Sequence, residues 1–406
     1  MAQIRLSDFG PIIKGYTENE GYIDFKKVTV FIGDQGMGKS TLAKLYSLFS
    51  WLEKAVYQGK LSEKELTTAQ FKRRCAYHRI DGYFNTNTVL EYRGDVCEFH
   101  YRTGKFTVRE LATGGTAYTT PKIMYVPAER NFLSVVNNPQ RLKQLPAPLD
   151  TFLEELVKAQ ESLKSAITLP LPHFKYEYKK LNSYSYIIVN DSKRLGLNET
   201  SSGLQSLTPL FLVSRHLAKT ISERSQNLAV SETSIEERQK IEQEVKRIMS
   251  NPDYSEDVRE ALLKRVSARS KNDRFMNIVE EMEQNLYPAS QRLLLNTLLE
   301  YVNETDDNSL VLTTHSPYII NYLSLAIKAC ELSRKDASKI ANISGIVPAK
   351  SVICGEDVVV YELRDGNVHK LKTYDNMPDD SNMLNHAIEN TNDDFDRLLD
   401  IEENLS

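Results

Sequence analysis

One tryptophan, four cysteines and seven histidines are all that 406 residues contain of these types. Cys75, Cys97, Cys330 and Cys354 form no CxxC pair and have no histidine at zinc-site spacing, so a structural metal is not expected and all four are read as reduced thiols. No run of about eighteen apolar residues occurs, and the start "MAQIRLSDFG" lacks the basic and apolar regions of a secretory signal. A cytoplasmic chain without a membrane span is the expectation. Charge of one sign is also missing: 51 basic and 55 acidic side chains leave a formal charge of -4. Global electrostatics therefore give no case for nucleic-acid binding, although a local patch remains open. The 41% of hydrophobic residues is ordinary for a globular protein, long enough for one large core or two to three domains.

Against these absences stands one dense local signal. "GDQGMGKST" fits G-x-x-x-x-G-K-[ST], follows the β-rich run Val28 to Ile32, and opens the helically periodic "STLAKLYSLFSWLEKAV". Gly33, Gly36 and Gly38 let backbone amides curl around phosphates while the helix start supplies aligned donors. Lys39 is placed to reach the β/γ oxygens, Ser40 to ligate Mg2+, and Thr41 to complete the ATP cradle.

Hydrolysis needs more than a phosphate cradle: a carboxylate for the metal and a group that orients or deprotonates water. "RFMNIVEEMEQNLYP" offers adjacent acids after the apolar run Phe275 to Val279, and consecutive residues at a strand end point in different directions. Glu280 is accordingly assigned to Mg2+ and Glu281 to the general base. "NSLVLTTHSPYIIN" places His315 just past a strand over Leu310 to Leu312, where a sheet's carboxyl-end crevice holds ligands. A structural role and a role in sensing γ-phosphate or holding water are both open to it.

Around these motifs, "NTVLEY", "VCEFHYR" and "KFTVREL" read as an antiparallel meander. "APLDTFLEELVKAQESLKSAI" reads as a helix with Asp150 near its cap, and "SYSYIIVND" as a strand. Residues 220 to 274 are strongly charged and predict a helical insert, with Ile241, Val245, Ile248 and Met249 on one face. Either it braces the core or it docks a partner. A basic cluster, Lys264, Arg265, Arg269, Lys271 and Arg274, ends it. In the acidic tail, Phe395, Leu398, Leu399 and Ile401 are interleaved among carboxylates, the pattern of an amphipathic helix.

Taken in order, "GDQGMGKST", "SSGLQS", "IVEEMEQNLYP" and "LVLTTHSPYII" resemble the Walker A, signature, Walker B with D-loop, and switch-histidine motifs of ABC-type ATPases. The resemblance is to the branch containing Rad50, SMC proteins, RecF and OLD-like enzymes, and "EExExxLYP" and "TTHSPY" look like the bacterial AAA-15/AAA-21 families. It implies an α/β, ABC-type P-loop NTPase with an antiparallel β lobe and a helical insert after the signature. The implied divisions are 1–219 and 275–370 for the core, 220–274 for the insert and 371–406 for the tail.

The same resemblance implies ATP and Mg2+ as ligands, and a homo-oligomer of ATP-sandwich dimers, extending to a larger ring. In such a sandwich Ser202, Gly203 and Gln205 face nucleotide held by another copy, and Glu283 to Pro288 lie near the interface. No long heptad run resembles the arms of Rad50 or SMC proteins, and no TOPRIM acidic pattern follows "CGEDVVVYELRDGNVHKL". A compact ATPase of this kind is similar to ATPase subunits of two-gene bacterial anti-phage systems. Their partners are a separate effector nuclease, of TOPRIM or HNH type, and a phage-encoded trigger protein. A DNA repair ATPase of RecF or Rad50 type and a nucleotide-binding scaffold with negligible turnover are the competing readings. Direct DNA binding is not the expected primary role, and no membrane partner is called for.

Overall fold

A computed structural model describes residues 2–62, 64–111, 118–226, 235–251, 254–256, 259 and 273–404. Its centre is a seven-stranded sheet in the order Gly15–Tyr16, Asn367–Lys370, Val358–Arg364, Val28–Gly33, Ser309–Thr314, Arg274–Glu280, Pro121–Val126. Every neighbouring pair is parallel except Val358–Arg364 with Asn367–Lys370. That exception is a hairpin closed at Arg364 to Asn367, the "RDGN" turn.

Val28–Gly33 is buried at every position, as a parallel strand covered on both faces must be. Period-2 alternation then splits the sheet's side chains between two cores. Val30, Ile32, Val279, Leu312 and Val360 face one, with Ala147–Ser162, Ser202–Gln226, Pro288–Asn303 and Pro317–Lys335 packed over them. Phe31, Ile278, Val311 and Tyr361 face the other, against the helix Lys39–Tyr57. Beyond that helix lies a wholly antiparallel five-stranded sheet, ordered Ile23–Asp24, Gln3–Phe9, Phe84–Arg93, Cys97–Arg102, Lys105–Glu110. It contains the three meander strands, with Gln3–Phe9 and Ile23–Asp24 added.

A second antiparallel sheet, Ile167–Thr168, Phe174–Lys179, Tyr184–Val189 and Lys193–Gly196, was expected only at its third strand. The helix Ala147–Ser162 stops before the expected end because Ile167–Thr168 pairs with Phe174–Lys179, and Asp150 lies in its first turn without capping it. In the insert a helix spans Ile235–Ser250, where Ile248 is buried but Met249 is 58% exposed, so Met249 leaves the apolar face assigned to it. Lys264, Arg265, Arg269 and Lys271 lie outside the described residues. The tail forms the helix Met383–Glu403, and Phe395, Leu398, Leu399 and Ile401 remain exposed on it.

One expectation fails outright. Cys330 and Cys354 form a disulfide, with Cα atoms 5.4 Å apart, while Cys75 and Cys97 remain buried thiols. The 24-residue separation hides their proximity: the helix Pro317–Lys335 packs on the segment entering Val358–Arg364, and Ile353 N–H donates to the Ala326 carbonyl at 3.4 Å. No helix among the described residues is long and apolar enough to cross a membrane.

Candidate nucleotide site at the sheet edge

Parallel pairing brings the carboxyl ends of four strands to one edge. Gly33 ends the first, and the next residues are Asp34 to Gly38 and the helix Lys39–Tyr57. The loop demands glycine twice over: Gly38 has φ 102° and a Cβ there would meet Ile12 at 2.7 Å, while Gly33 has φ 152° and would meet the Leu363 carbonyl at 2.6 Å. At Gly36 a Cβ would meet nothing within 4 Å, so the rim of the loop is open to a ligand. Lys39 is buried and donates to the carbonyls of Gly33 and Asp34, both at 2.8 Å. Burial pushes its ammonium down to about 8, against the opposing pull of Glu281, Glu283 and Asp34. Ser40 is half-buried beside it and Thr41 is buried.

The neighbouring strand Ser309–Thr314 delivers His315. Its Nδ1 is 3.4 Å from Lys39 Nζ and its Nε2 is 3.8 Å from Glu281 Oε1. Its backbone N–H donates to Glu283 Oε1 at 2.7 Å. Glu283 Oε2 is buried without a hydrogen-bond partner, and burial raises this carboxyl above its ordinary range. Glu283 was placed by resemblance near a subunit interface; its contact with His315 across 32 residues had no sequence signal.

Arg274–Glu280 delivers the paired acids. Glu280 is buried and its Oε1 has no hydrogen-bond partner within the chain, and such an acceptor fits a cation. The Tyr125 hydroxyl is buried beside this carboxylate, and burial together with the Glu280 charge holds it well above its usual range. Glu281 turns the chain sharply, at φ 44°, a left-handed conformation uncommon outside glycine. Its N–H donates to the Thr313 carbonyl at 3.0 Å and to Thr313 Oγ1 at 3.2 Å.

The fourth strand, Pro121–Val126, runs into the turn that carries Arg130, a residue given no role from sequence. Arg130 is fully buried. Its guanidinium donates to the carbonyls of Glu280 at 2.6 Å, Glu281 at 2.7 Å, and Pro127 and Ser206 at 3.3 Å. Burial lowers it to about 10, still cationic at neutral pH, with Glu283, Glu281 and Glu280 opposing the shift.

Family-level sequence comparison adds nothing: no family model matches the chain, and no curated protein is significantly similar to it. Among solved structures it is similar to the SMC head domain from Thermotoga maritima, at 9% identity over 92% of this chain and 98% of that one, with a TM-score of 0.36. A Smc head domain with an extended coiled coil from Pyrococcus furiosus, bound to the C-terminal domain of ScpA, is 10% identical over 92% and 97%, with a TM-score of 0.40. A dimeric ATP-binding cassette in a post-hydrolysis state, bound to ADP and Pi, is 11% identical over 92% and 100%, with a TM-score of 0.29. The P-loop α/β assignment rests on this chain's own strand order and loop.

The signature residues lie at the start of the helix Ser202–Gln226. Ser201 and Ser202 are exposed and Gly203 is half-buried, with room for a Cβ blocked by the Asn285 carbonyl at 2.8 Å. Gln205 points inward: its amide donates to the carbonyls of Thr200 at 3.0 Å and Asn198 at 3.1 Å, closing the "NETS" turn on itself. Pro209 sits one turn further along and has no N–H for the Gln205 carbonyl. The Ser134 hydroxyl takes that carbonyl instead, at 2.7 Å. Among the described residues, no hydrogen bond joins residues 198–206 to the phosphate loop 33–41.

Proposed function

We propose that this chain is an ATPase whose nucleotide is held at the Gly33–Thr41 loop and enclosed by the Ser202–Gly203 edge of a second copy. The supporting observation is the convergence of Lys39, Glu280, Glu281 and His315 from three adjacent strand ends, while Ser202 is turned to solvent. Loop amides and the start of the helix Lys39–Tyr57 bind and orient the phosphates. Lys39 exchanges the carbonyls of Gly33 and Asp34 for phosphate oxygens. Ser40 and Glu280 are the protein ligands for Mg2+, which uses few protein groups beside phosphate and water, and the unbonded Glu280 Oε1 fits that role. The metal supplies neutralisation of phosphate charge when bound. Glu281, partly exposed at the rim, takes the proton from attacking water, and His315 lies between that carboxylate and Lys39. Ser202 Oγ and the backbone amides at Ser202 and Gly203 close the site from the second copy.

At the system level we infer an ATPase subunit like AriA of the PARIS anti-phage system, which holds a separate TOPRIM effector, AriB, until a phage-encoded protein is sensed. The support is the likeness of "EEMEQNLYP" and "TTHSPY" to motifs of that group. A Septu-like partner of HNH type is the near alternative. Phosphate release, with and without the product of the adjacent gene, tests the reading, and co-purification of a TOPRIM protein discriminates between the two systems. No ATP turnover in either condition would leave a nucleotide-gated scaffold.

A second reading, a DNA repair ATPase, draws on the outer face of the five-stranded sheet. There Arg5, Arg93, Arg102 and Lys105 surround one buried carboxylate, Glu91, and Arg93 stacks on Tyr22 at 3.8 Å. Salt-sensitive duplex binding with DNA-stimulated turnover favours it.

A further inference from the structure

Arg130 is the only fully buried arginine among the described residues, and its four hydrogen-bond acceptors are all main-chain carbonyls. A buried cation ordinarily sits against a carboxylate. Here Glu280, Glu281 and Glu283 stabilise the charge from nearby, and the donors themselves are spent on backbone. Those carbonyls belong to three elements: the turn after its own strand, the acid-bearing strand end, and the helix that begins at Ser202.

Two features show why such a tie is needed. Glu281 adopts φ 44°, and sparsely populated backbone persists only where its surroundings over-determine it. The Thr313 bonds hold the N–H of Glu281 and Arg130 Nη2 holds its carbonyl, so the peptides on both sides of the residue are fixed. The Ser202–Gln226 helix, for its part, lacks one hydrogen bond in its opening turns because of Pro209. Ser134, Arg130 and the Ser206 hydroxyl, which donates to Gln284 Oε1 at 3.1 Å, anchor those turns from outside.

We propose that Arg130 is a positioning residue that transmits engagement of the Ser202–Gly203 edge by a second copy's nucleotide to the backbone of Glu280 and Glu281, setting the base for attack only in the closed assembly. This rests on the reading of Glu281 as base and of Ser202 as a contact to the other copy. The route is short: Nε holds Ser206, one turn into the helix, and Nη1 and Nη2 hold the two acids. A shift of the helix start moves the guanidinium plane and with it both carbonyls.

The full-length Arg130→Lys protein tests this. An ammonium keeps the buried charge but cannot reproduce the guanidinium's planar fork. ATP affinity and ATP-dependent association, read by calorimetry and by mass measurement, are expected to stay within about twofold, while kcat falls about 10- to 100-fold. Adding Ser202→Ala to Arg130→Lys should cost little beyond the worse single change, because both interrupt one path. Unchanged kcat, multiplicative losses, or parallel loss of ATP binding would each overturn the coupling and leave Arg130 a packing residue. Hydrogen exchange on the unaltered chain needs no folded variant: with ATP bound, protection of residues 279–284 should rise with self-association together with that of 202–210. A 279–284 segment indifferent to association also overturns it. Glu281→Gln is measured alongside. Normal turnover there removes the base reading and the inference with it, whereas slow turnover there with normal Arg130→Lys removes the inference alone.

Discussion

Lys39 Nζ lies 3.4 Å from Nδ1 of His315, and the opposite ring nitrogen faces Glu281 Oε1 at 3.8 Å. A charged Lys39 can only donate, so this contact is a hydrogen bond in the tautomer whose Nδ1 is bare and whose Nε2 carries the proton toward Glu281.

In the proposed nucleotide site ATP meets a charged amine, and without ligand burial holds Lys39 down to about 8 from 10.5. Above pH 8 the free protein must therefore take up a proton as it binds. ATP affinity should fall with rising pH over that window, by up to about tenfold per unit. The unfolded chain stays protonated over the same range, so this group makes the unliganded fold more stable, not less, as pH rises. Calorimetry in two buffers of different ionisation enthalpy reads the proton uptake directly, and pH-independent binding between 8 and 10 would refute it.

Glu283 deserves its own variant because it holds the His315 backbone, not a reacting atom. Glu283→Ala leaves that part-buried N–H without its 2.7 Å partner, a loss of about 1–3 kcal/mol. Turnover should drop about 10- to 100-fold through misplaced His315. ATP affinity should change far less than in Lys39→Ala.

The legible part of this site is the part written in contiguous residues. Gly33 to Thr41 declare themselves because a strand, a tight loop and a helix start must be consecutive to cradle phosphate. Glu280 and His315 are legible because each terminates an apolar run, and parallel register then aligns the ends. Arg130 is not: three of its four acceptors lie 76, 150 and 151 residues away, and a carbonyl carries no residue identity. Gln205 misleads for a related reason, since a polar side chain in an exposed-looking motif can satisfy its own turn. "FKYEYK" does show period-2 alternation, the one overlooked signal for the second antiparallel sheet.

The disulfide carries a stability prediction. Cys330 and Cys354 enclose a 24-residue separation, for which loop-closure entropy gives about 3 kcal/mol. Thermal unfolding of the oxidised protein should exceed that of the reduced protein and of Cys330→Ser/Cys354→Ser. Equal midpoints for oxidised and reduced protein would mean that the bond contributes nothing.

Gly203→Ala separates nucleotide binding from closure. Its added methyl would meet the Asn285 carbonyl at 2.8 Å, backbone that cannot swing away like a side chain, so the Gln284–Leu286 turn or the helix start must move. Lys39 and the phosphate loop share no hydrogen bond with that region among the described residues. ATP affinity of the dilute chain should thus be nearly unchanged, while ATP-driven association weakens by about tenfold or more. Loss of affinity in the dilute chain would instead place the signature edge within its own nucleotide site.

His78 supplies the acid-side prediction. It is buried against Tyr125 with ring centroids 4.8 Å apart, its Nδ1 has no hydrogen-bond partner, and burial pushes its imidazolium down from 6.5 to about 3. Between those values the unfolded chain binds a proton that the folded chain refuses. Its contribution is therefore intact above pH 6.5 and is lost as pH falls toward 3, by up to about 1.4 kcal/mol per unit. His78→Phe keeps an aromatic ring against Tyr125 while removing both the titration and the unbonded nitrogen. Denaturant titrations at pH 7 and pH 5 should show a smaller drop in stability for the variant than for the unaltered chain. An identical drop would mean that His78 is protonated in the folded protein and that its site admits water.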